Sequence, residues 1–189
     1  MKVTIHQPEH FPYMGFFQKM EEADLFVILD DVQYTKNNFQ NRNKFLNKNG
    51  VEEWFGVQVE SKATKKNINQ VETAQGNWRN KIIKKLKQNF TQDFTDIYNS
   101  RLLVEINIAS INWAREKLKI TTPMVLSSEM GIKTTSTQRL VDICKHVRAT
   151  EYISGQGGKS YLDMELFKGI EVSYHQPLLE NYYSVIYNI

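Results

Sequence analysis

Two apolar strand-length segments near the N-terminus, joined by a proline-bounded loop and an amphipathic stretch, constrain this chain more than any other feature. MKVTIHQ (1–7) alternates as a strand does, and LFVIL (25–29) is a continuous apolar run of strand length. Between them, two prolines exclude regular structure from residues 8–12, and apolar residues recur at helical spacing over 13–23. We therefore predict a βαβ unit whose two strands are parallel.

The rest of the chain predicts a polar hairpin, a helical middle section and a return to alternating strands and helices. Residues 33–60 contain a polar run, an NKNG turn and an alternating strand, which is typical of a hairpin. Residues 77–119 carry two helical patterns, and residues 123–177 form a second α/β part. In that part, strands are predicted over 123–130 and 169–177, a strand that runs into a glycine loop over 151–158, and a helix over 135–147.

These elements predict an α/β fold with a mostly parallel sheet. The sheet opens with the βαβ unit and is interrupted by the polar hairpin insertion and the helical middle section. A chain of 189 residues has the size of one domain, so we expect a single domain over residues 1–189.

Composition and charge restrict the function classes. The net charge of +3 is too small to indicate a nucleic-acid partner. The chain has no apolar run of about 18 residues, and prolines and histidines fill residues 1–20, so we expect no membrane span, no signal peptide and a cytoplasmic protein. Cys144 is the only cysteine; it lies in an apolar helical pattern and is predicted to be a core residue without a disulfide.

Polar side chains follow both strands of the predicted βαβ unit. His6 and Gln7 end the first strand, and Asp30 and Asp31 follow the second. Ligands of open α/β sheets bind beyond the carboxyl ends of the strands, so we predict a site here. His6 is predicted to act as general base or phosphate ligand, and an aspartate to orient a substrate amine or hydroxyl. The alternatives are that His6 caps its strand and the aspartates cap a turn. His10, in the same loop region, is a further substrate-binding candidate.

The polar run after the second strand offers groups for a phosphate, a carboxylate or a sugar. Within NFQNRNK, Arg42 and Lys44 would form a cationic face of a strand, and Asn41 would lie on an amide face. Gln33 and Lys36 precede them in DDVQYTK. We predict that these five residues bind substrate, with a plain polar hairpin as the alternative.

A glycine loop follows a predicted strand in YISGQGGKSYLD (152–163). Backbone amides in such a loop can bind oxyanions, and a lysine can neutralise their charge. It is not a Walker A motif, because Ile153 stands where the first glycine is required. No zinc-ligand spacing is recognised, so no metal is predicted, and the sequence identifies no cofactor. The predicted substrate-binding residues of the loop are Ser154, Gly155, Gly157, Gly158 and Lys159.

Several segments, taken in order, resemble the WbqC-like family. Members of this family are frequent in loci for bacterial O-antigen and other surface polysaccharides. The resemblance implies acyl or aminoacyl transfer to a nucleotide-linked amino sugar. Family members usually continue after the last strand with a longer tail containing tyrosine and glutamine, so we expect a shortened tail contribution here. The matching segments are IHQPEHFPYMGFFQKM, ADLFVILDDVQYTKNNFQNRNKF, the NW at 77–78, LSSEMG, RLVDICK and YISGQGGKSYLD with the phenylalanine at 167.

Three functions are compatible with these features. The first is a transferase that modifies a nucleotide-linked amino sugar in surface-polysaccharide biosynthesis, with a nucleotide sugar as its small-molecule partner. The second is an ATP-dependent ligase or nucleotidyltransferase, because the opening is loosely similar to that of nucleotidyltransferases with an HxGH loop, a motif that is absent here. The third is a non-catalytic binder of nucleotide sugars. A homodimer is compatible with all three.

Overall fold

The computed structural model describes residues 1–178 and 182–189. Short 3₁₀ helices connect several of the regular elements. In chain order, the strands and α-helices are β1 (Lys2–His6), α1 (Met14–Glu21), β2 (Leu25–Ile28), β3 (Arg42–Leu46), β4 (Glu52–Gly56), α2 (Trp78–Asn89), α3 (Leu103–Leu118), β5 (Met124–Leu126), α4 (Ser136–His146), β6 (Glu151–Ser154) and β7 (Glu171–Tyr174).

The chain forms two compact units, each assembled from three separate segments. Within the described residues, no helix combines the length and the apolar character that crossing a bilayer requires. The first unit, called the sheet unit, comprises Met1–Gln7, Gly15–Leu29 and Ile120–Glu180. The second, called the hairpin unit, comprises Pro8–Met14, Asp30–Lys119 and Asn181–Ile189.

The sheet unit contains a five-stranded sheet in which every pair of neighbouring strands is parallel, in the order β5-β2-β1-β6-β7. The pairing of β1 with β2 confirms the predicted βαβ unit, and the α/β fold class is confirmed with it. From β1 the chain adds β2 and β5 on one side, and it then returns to add β6 and β7 on the other. The strand order therefore reverses between β1 and β6.

Side-chain alternation along β1 assigns the two faces of the sheet. Val3 and Ile5 belong to a buried apolar cluster with α4, whereas Phe16 of α1 packs against His6 and Phe26. Because successive strand residues point to opposite faces, α1 and α4 cover opposite faces of the sheet. This double cover explains why LFVIL is apolar throughout.

Cys144 lies within the cluster beneath α4, as its sequence context predicts. Its side chain is fully buried, and burial raises the pKa of the thiol to about 12. A thiol with so high a pKa is not a nucleophile near neutral pH.

The hairpin unit contains the predicted hairpin and the helical middle section. Strands β3 and β4 pair antiparallel, and the turn between them includes Gly50 at φ 72°. Along β3, Asn43 and Phe45 are buried, whereas Arg42 and Lys44 lie on the more exposed face. The alternation expected for this strand is therefore present.

The proline-bounded loop over residues 8–12 is part of the hairpin unit. Phe11 is fully buried with φ 44°, a conformation that bulky residues rarely adopt. Its amide donates to Ser110 Oγ at 3.0 Å, and its carbonyl accepts from Asn43 Nδ2 at 2.7 Å and Ser184 Oγ at 2.9 Å. Buried side chains from three distant segments thus satisfy the backbone of this residue.

The strands predicted over 123–130 and 169–177 are both shorter than their sequence patterns suggest. The strand expected over 123–130 is regular only from Met124 to Leu126, and Ser127–Met130 turns into a 3₁₀ helix that ends at Gly131 with φ 68°. The strand expected over 169–177 covers Glu171–Tyr174. Within 151–158 the strand ends at Ser154 and the predicted glycine loop follows it. After Leu126 and Ser154, polar and glycine residues favour a turn where the sheet edge is reached.

Candidate functional site

The carboxyl edge of the five-stranded sheet brings together two of the predicted site segments. His6 and Gln7 end β1, and Ser154 and Gly155 end β6, its neighbour. Continuing the register of Thr4 with Ile153 sets His6 level with Gly155. In doubly wound sheets, ligands bind at this edge where the strand order reverses, which here is between β1 and β6.

His6 is partly buried at this edge and is neutral near pH 7. Its ring lies edge-on to Phe16 with centroids 4.9 Å apart. Burial and, second, the positive charge of Lys19 lower its pKa to about 3, while the hydrogen bond to Gln7 acts in the opposite direction. Nδ1 lies 3.0 Å from the Gln7 carbonyl oxygen, which can only accept. Nδ1 therefore carries the proton, and Nε2 is the accepting atom of the ring.

The glycine loop after β6 folds as a 3₁₀ helix over Gln156–Ser160. The amide of Gly158 donates to the Gly155 carbonyl at 2.9 Å, so this amide is used within the loop. A Cβ on Gly158 would approach Ser154 Oγ to 2.1 Å, so the glycine is needed for close packing. At Gly155 and Gly157 an added Cβ would meet nothing within 4 Å.

The polar groups of this loop differ in their exposure. Ser154 is buried, and its hydroxyl donates to the Gly155 carbonyl at 3.0 Å. Lys159 is exposed, and its Nζ lies 5.1 Å from the centroid of the Tyr174 ring. Lys159 is thus the loop residue best placed to meet an anion from solvent.

The predicted aspartates and Gln33 belong to the hairpin unit. Asp30 is 1% exposed, and its Oδ2 accepts from Asn69 Nδ2 at 3.3 Å. Asp31 is partly buried. Gln33 donates through Nε2 to the Thr64 carbonyl at 3.0 Å. Asp30 and Gln33 therefore make internal contacts in this unit.

The cationic face of the hairpin surrounds an exposed tryptophan. The Arg42 guanidinium lies 4.5 Å from the centroid of Trp54, whose side chain is 42% exposed. Lys44 is less available to a ligand, because its Nζ pairs with Glu52 at 2.8 Å. Lys36, together with Trp54, lines a hollow of about 210 Å³. Of the three cations predicted to bind substrate here, Arg42 and Lys36 are those that can meet an anion.

Asn41 and the neighbouring amide Asn43 serve the fold. Asn41 donates through Nδ2 to the Val57 carbonyl at 3.1 Å, and its Oδ1 is buried. Asn43 is fully buried against Phe11, as described above. The amide face predicted for sugar contacts is thus turned into the protein.

His10 lies in an aromatic core rather than on a surface. It is fully buried among the rings of Phe11, Phe55 and Tyr98, with centroids 5.1 to 5.7 Å away. Its Nε2 lies 3.3 Å from Tyr98 Oη, and burial lowers its pKa to about 3. A substrate has no access to this side chain in the structure.

Sequence reasoning missed His175, which follows β7 directly. Its Nδ1 lies 2.9 Å from Glu22 Oε1, and its backbone amide donates to the Ser154 carbonyl at 2.9 Å. The signal was present: the tripeptide His-Gln-Pro occurs at 6–8, where it begins with the last residue of β1, and again at 175–177, directly after β7.

A family model described as the WbqC-like protein family matches residues 7–188. The chain belongs to the WbqC-like family. This member is similar to uncharacterized protein Rv1507c of Mycobacterium tuberculosis, with 28% identity over 184 residues that cover 90% of this chain and 79% of the relative. No solved structure matches it significantly. The family predicted from the sequence is confirmed, and the matched range includes segments of both units.

Over 1–178 and 182–189, no group of three or more His, Cys, Asp or Glu side chains is arranged to hold a metal ion.

Proposed function

We propose that this protein is a transferase that binds a nucleotide-linked amino sugar at the carboxyl edge of the five-stranded sheet. The observation that carries the proposal is the reversal of strand order between β1 and β6, with His6 and the 154–159 loop on the two strands that flank it. Doubly wound sheets bind nucleotides at this position.

His6 fits a hydrogen-bonding role better than a proton-transferring one. A ring with a pKa of about 3 is a weak base near pH 7. Its Nδ1–H group donates a hydrogen bond to the Gln7 carbonyl oxygen. Its Nε2 suits a substrate hydroxyl, which can donate, and not a phosphate, which cannot. We therefore assign His6 to a sugar hydroxyl and Lys159 to a phosphate.

The chemical class of the proposed reaction is the one that the resemblance to the family implies. Acyl or aminoacyl transfer to the amine of a nucleotide sugar, in bacterial surface-polysaccharide (O-antigen) synthesis, agrees with a site that joins neutral hydrogen-bonding groups to an exposed cation. In the hairpin unit, taken by itself, Arg42 and Lys36 are assigned to an anionic ligand.

Thermal unfolding with three ligands tests the proposal. UDP-glucosamine is the amino-sugar probe, UDP-glucose lacks the amine, and ATP with Mg²⁺ represents the alternative substrate. A ligand present at 100 times its Kd stabilises by about 2.7 kcal/mol, which for a chain of this size raises Tm by about 5–10 °C. We expect this rise with UDP-glucosamine and a smaller one with UDP-glucose. No rise with either UDP-sugar contradicts the proposal.

Turnover is then measured by mass spectrometry of UDP-glucosamine incubated with acetyl-coenzyme A or a bacterial small-molecule extract. The expected result is a mass increase that corresponds to an added acyl group. Binding without any product would leave the protein as a non-catalytic nucleotide-sugar binder.

The His6→Ala variant distinguishes a functional role of His6 from a structural one. Because the ring is partly exposed, we expect a change in Tm of no more than a few degrees and loss of turnover. Parallel loss of folding and activity would return His6 to a structural role.

The second candidate function is an ATP-dependent ligase or nucleotidyltransferase. The same strand reversal favours it, since a nucleoside triphosphate would occupy the same edge. Stabilisation by ATP with Mg²⁺, without stabilisation by the UDP-sugars, would favour this function over the first.

A further inference from the structure

The two His-Gln-Pro segments occupy equivalent places in the sheet unit. His6 ends β1, and His175 follows β7. Continuing the register of β1 with β6, and of Ser154 with Tyr174, sets His6 level with Gly155 and His175, which directly follow β6 and β7. Residues at the same level of parallel strands point to the same face, and two strand spacings amount to about 10 Å. His175 therefore belongs to the sheet edge that carries the proposed site.

The His175 ring is held in one orientation by a carboxylate. Its Nδ1 lies 2.9 Å from Glu22 Oε1, and the carboxylate side chain is half exposed. The ring itself is 4% exposed. An ionised carboxylate can only accept, so Nδ1 carries the proton of the neutral ring and Nε2 is left as its basic atom.

The backbone around His175 is tied to the loop after β6. Its amide donates to the Ser154 carbonyl at 2.9 Å, and its carbonyl accepts from Gln156 Nε2 at 2.5 Å. Over 1–178 and 182–189, His175 Nε2 is a buried atom without a hydrogen-bond partner. A buried polar atom of this kind is costly unless a ligand or water satisfies it.

His175 also borders a cleft whose chemistry suits an amine. The cleft has a volume of about 230 Å³, and carboxylates of Glu21 and Glu22 and amides of Gln18 and Gln176 line it. Carboxylates attract an ammonium group, and amides can bind the hydroxyls of a sugar. The lining therefore matches the amine-bearing part of an amino sugar better than its phosphates.

We propose that His175 is the general base of the transferase and that Glu22 is its positioning residue; this rests on the proposed function. The bound ammonium group first loses one proton to water. The neutral amine nitrogen then forms a bond to the carbonyl carbon of an activated acyl donor, a thioester, while a second proton passes from that nitrogen to His175 Nε2. The bond between the acyl carbon and the donor sulfur breaks, and the imidazolium returns the proton to that sulfur. The division of labour leaves substrate binding to His6 and proton transfer to His175.

The first experiment needs no substrate. Long-range ¹H–¹⁵N correlation NMR of the intact protein reports which ring nitrogen of each histidine carries the proton. We expect His175 as the Nδ1–H tautomer, a mixture of tautomers in Glu22→Gln, and no change in Glu21→Gln, because the carboxylate at hydrogen-bond distance from the ring is that of Glu22. A wild-type ring protonated at Nε2, or no effect of Glu22→Gln, would overturn the proposal.

The second experiment measures turnover of UDP-glucosamine with acetyl-coenzyme A. His175→Gln should lower kcat by about 10²- to 10⁴-fold, as expected for loss of a general base, with the UDP-glucosamine-induced rise in Tm retained. Exogenous imidazole should restore part of the rate to His175→Ala, which a purely structural role would not allow. A His175→Gln enzyme that keeps wild-type kcat contradicts the proposal.

The two experiments separate failure of this inference from failure of the proposed function. If wild-type protein neither binds nor converts UDP-glucosamine, the proposed function is refuted, and the NMR result still decides whether Glu22 and His175 form the pair. If wild-type protein is active and both variants are active, the function stands and the base lies elsewhere.

Discussion

Gly158 is required for packing, although its place in a glycine loop suggests a role in ligand binding. An added Cβ would approach Ser154 Oγ to 2.1 Å and Leu162 Cδ1 to 3.0 Å. We predict that Gly158→Ala destabilises the protein by about 1–3 kcal/mol, because the buried Ser154 side chain must move. Urea denaturation measures the change. Gly157→Ala is the matched control and should stay within about 0.5 kcal/mol, since open space surrounds that position.

Buried neutral histidine gives the protein a defined pH dependence. Burial lowers the pKa of His10 from 6.5 to about 3. Between these values the unfolded ring binds a proton and the folded ring does not, so stability falls as pH decreases through this window. At pH 5 the loss from this ring is about 2 kcal/mol.

Urea denaturation at pH 7 and pH 5 measures this loss. His10→Gln removes the ring, so the variant should show a smaller decrease between the two pH values, whatever its stability at pH 7. Equal decreases in variant and wild type would show that His10 is not held neutral. His6, whose pKa is also about 3, contributes to both proteins alike.

Single residues show where sequence reading reaches its limit. The sequence places His6 at a strand end and Cys144 in a core, and both positions are confirmed, because each depends on local periodicity. It does not distinguish His10 from His6, since burial of His10 depends on distant rings such as Tyr98. Nor does the sequence show whether a glycine of the loop is required for ligand binding or, like Gly158, for close packing against Ser154.

At the scale of elements, the loop over residues 8–12 depends on a buried amide of α3. Asn107 Nδ2 donates to the carbonyls of Pro8 at 3.1 Å and Gln40 at 2.8 Å. Asn107→Ala leaves both buried carbonyls without this donor, so we predict a loss of about 2–4 kcal/mol in unfolding free energy. Thermal denaturation provides the measurement. Asn112→Ala, on the exposed side of α3, should cost less than about 0.5 kcal/mol; similar losses in both would contradict a special role for Asn107.

Regular elements were the most predictable part of the fold. The helices over Trp78–Asn89 and Leu103–Leu118 match the apolar spacing of the sequence. The end of β5 was less predictable, because the polar residues after Leu126 are compatible with a strand or with a 3₁₀ turn until the sheet edge is known.

At the scale of the whole molecule, the strand order could not be read from the sequence. β1 lies beside β6, and Lys2 pairs with Glu151, although 149 positions separate them. Local patterns predict that both segments are strands but contain no information on which strands become neighbours. For this reason the sequence proposed a site from His6 and Asp30, which follow consecutive strands, and overlooked His175, which only the β6–β7 pairing sets level with His6.

Each unit is assembled from three separate segments of the chain, so a single segment is not expected to fold by itself. Asp30–Lys119 supplies most of the hairpin unit, but Phe11 comes from the separate segment Pro8–Met14. In the hairpin unit Phe11 contacts the rings of Phe55, Phe94 and Trp113 with centroids 5.4 to 5.9 Å apart. Loss of such a ring costs about 3–5 kcal/mol, a large part of the 5–15 kcal/mol that typically stabilises a protein.

We therefore expect the fragment 30–119 to lack a cooperative thermal transition and a native near-ultraviolet circular dichroism spectrum, while the full chain shows both. The matched control is the same fragment with residues 8–14 attached to its N-terminus through a glycine–serine linker, which should regain part of both signals because the Phe11 ring refills its place. If the linker carries the same residues with Phe11→Ala, the gain should disappear. A fragment 30–119 that unfolds cooperatively by itself would show that its aromatic core closes without Phe11, and that residues 8–12 are attached to a unit that is already stable.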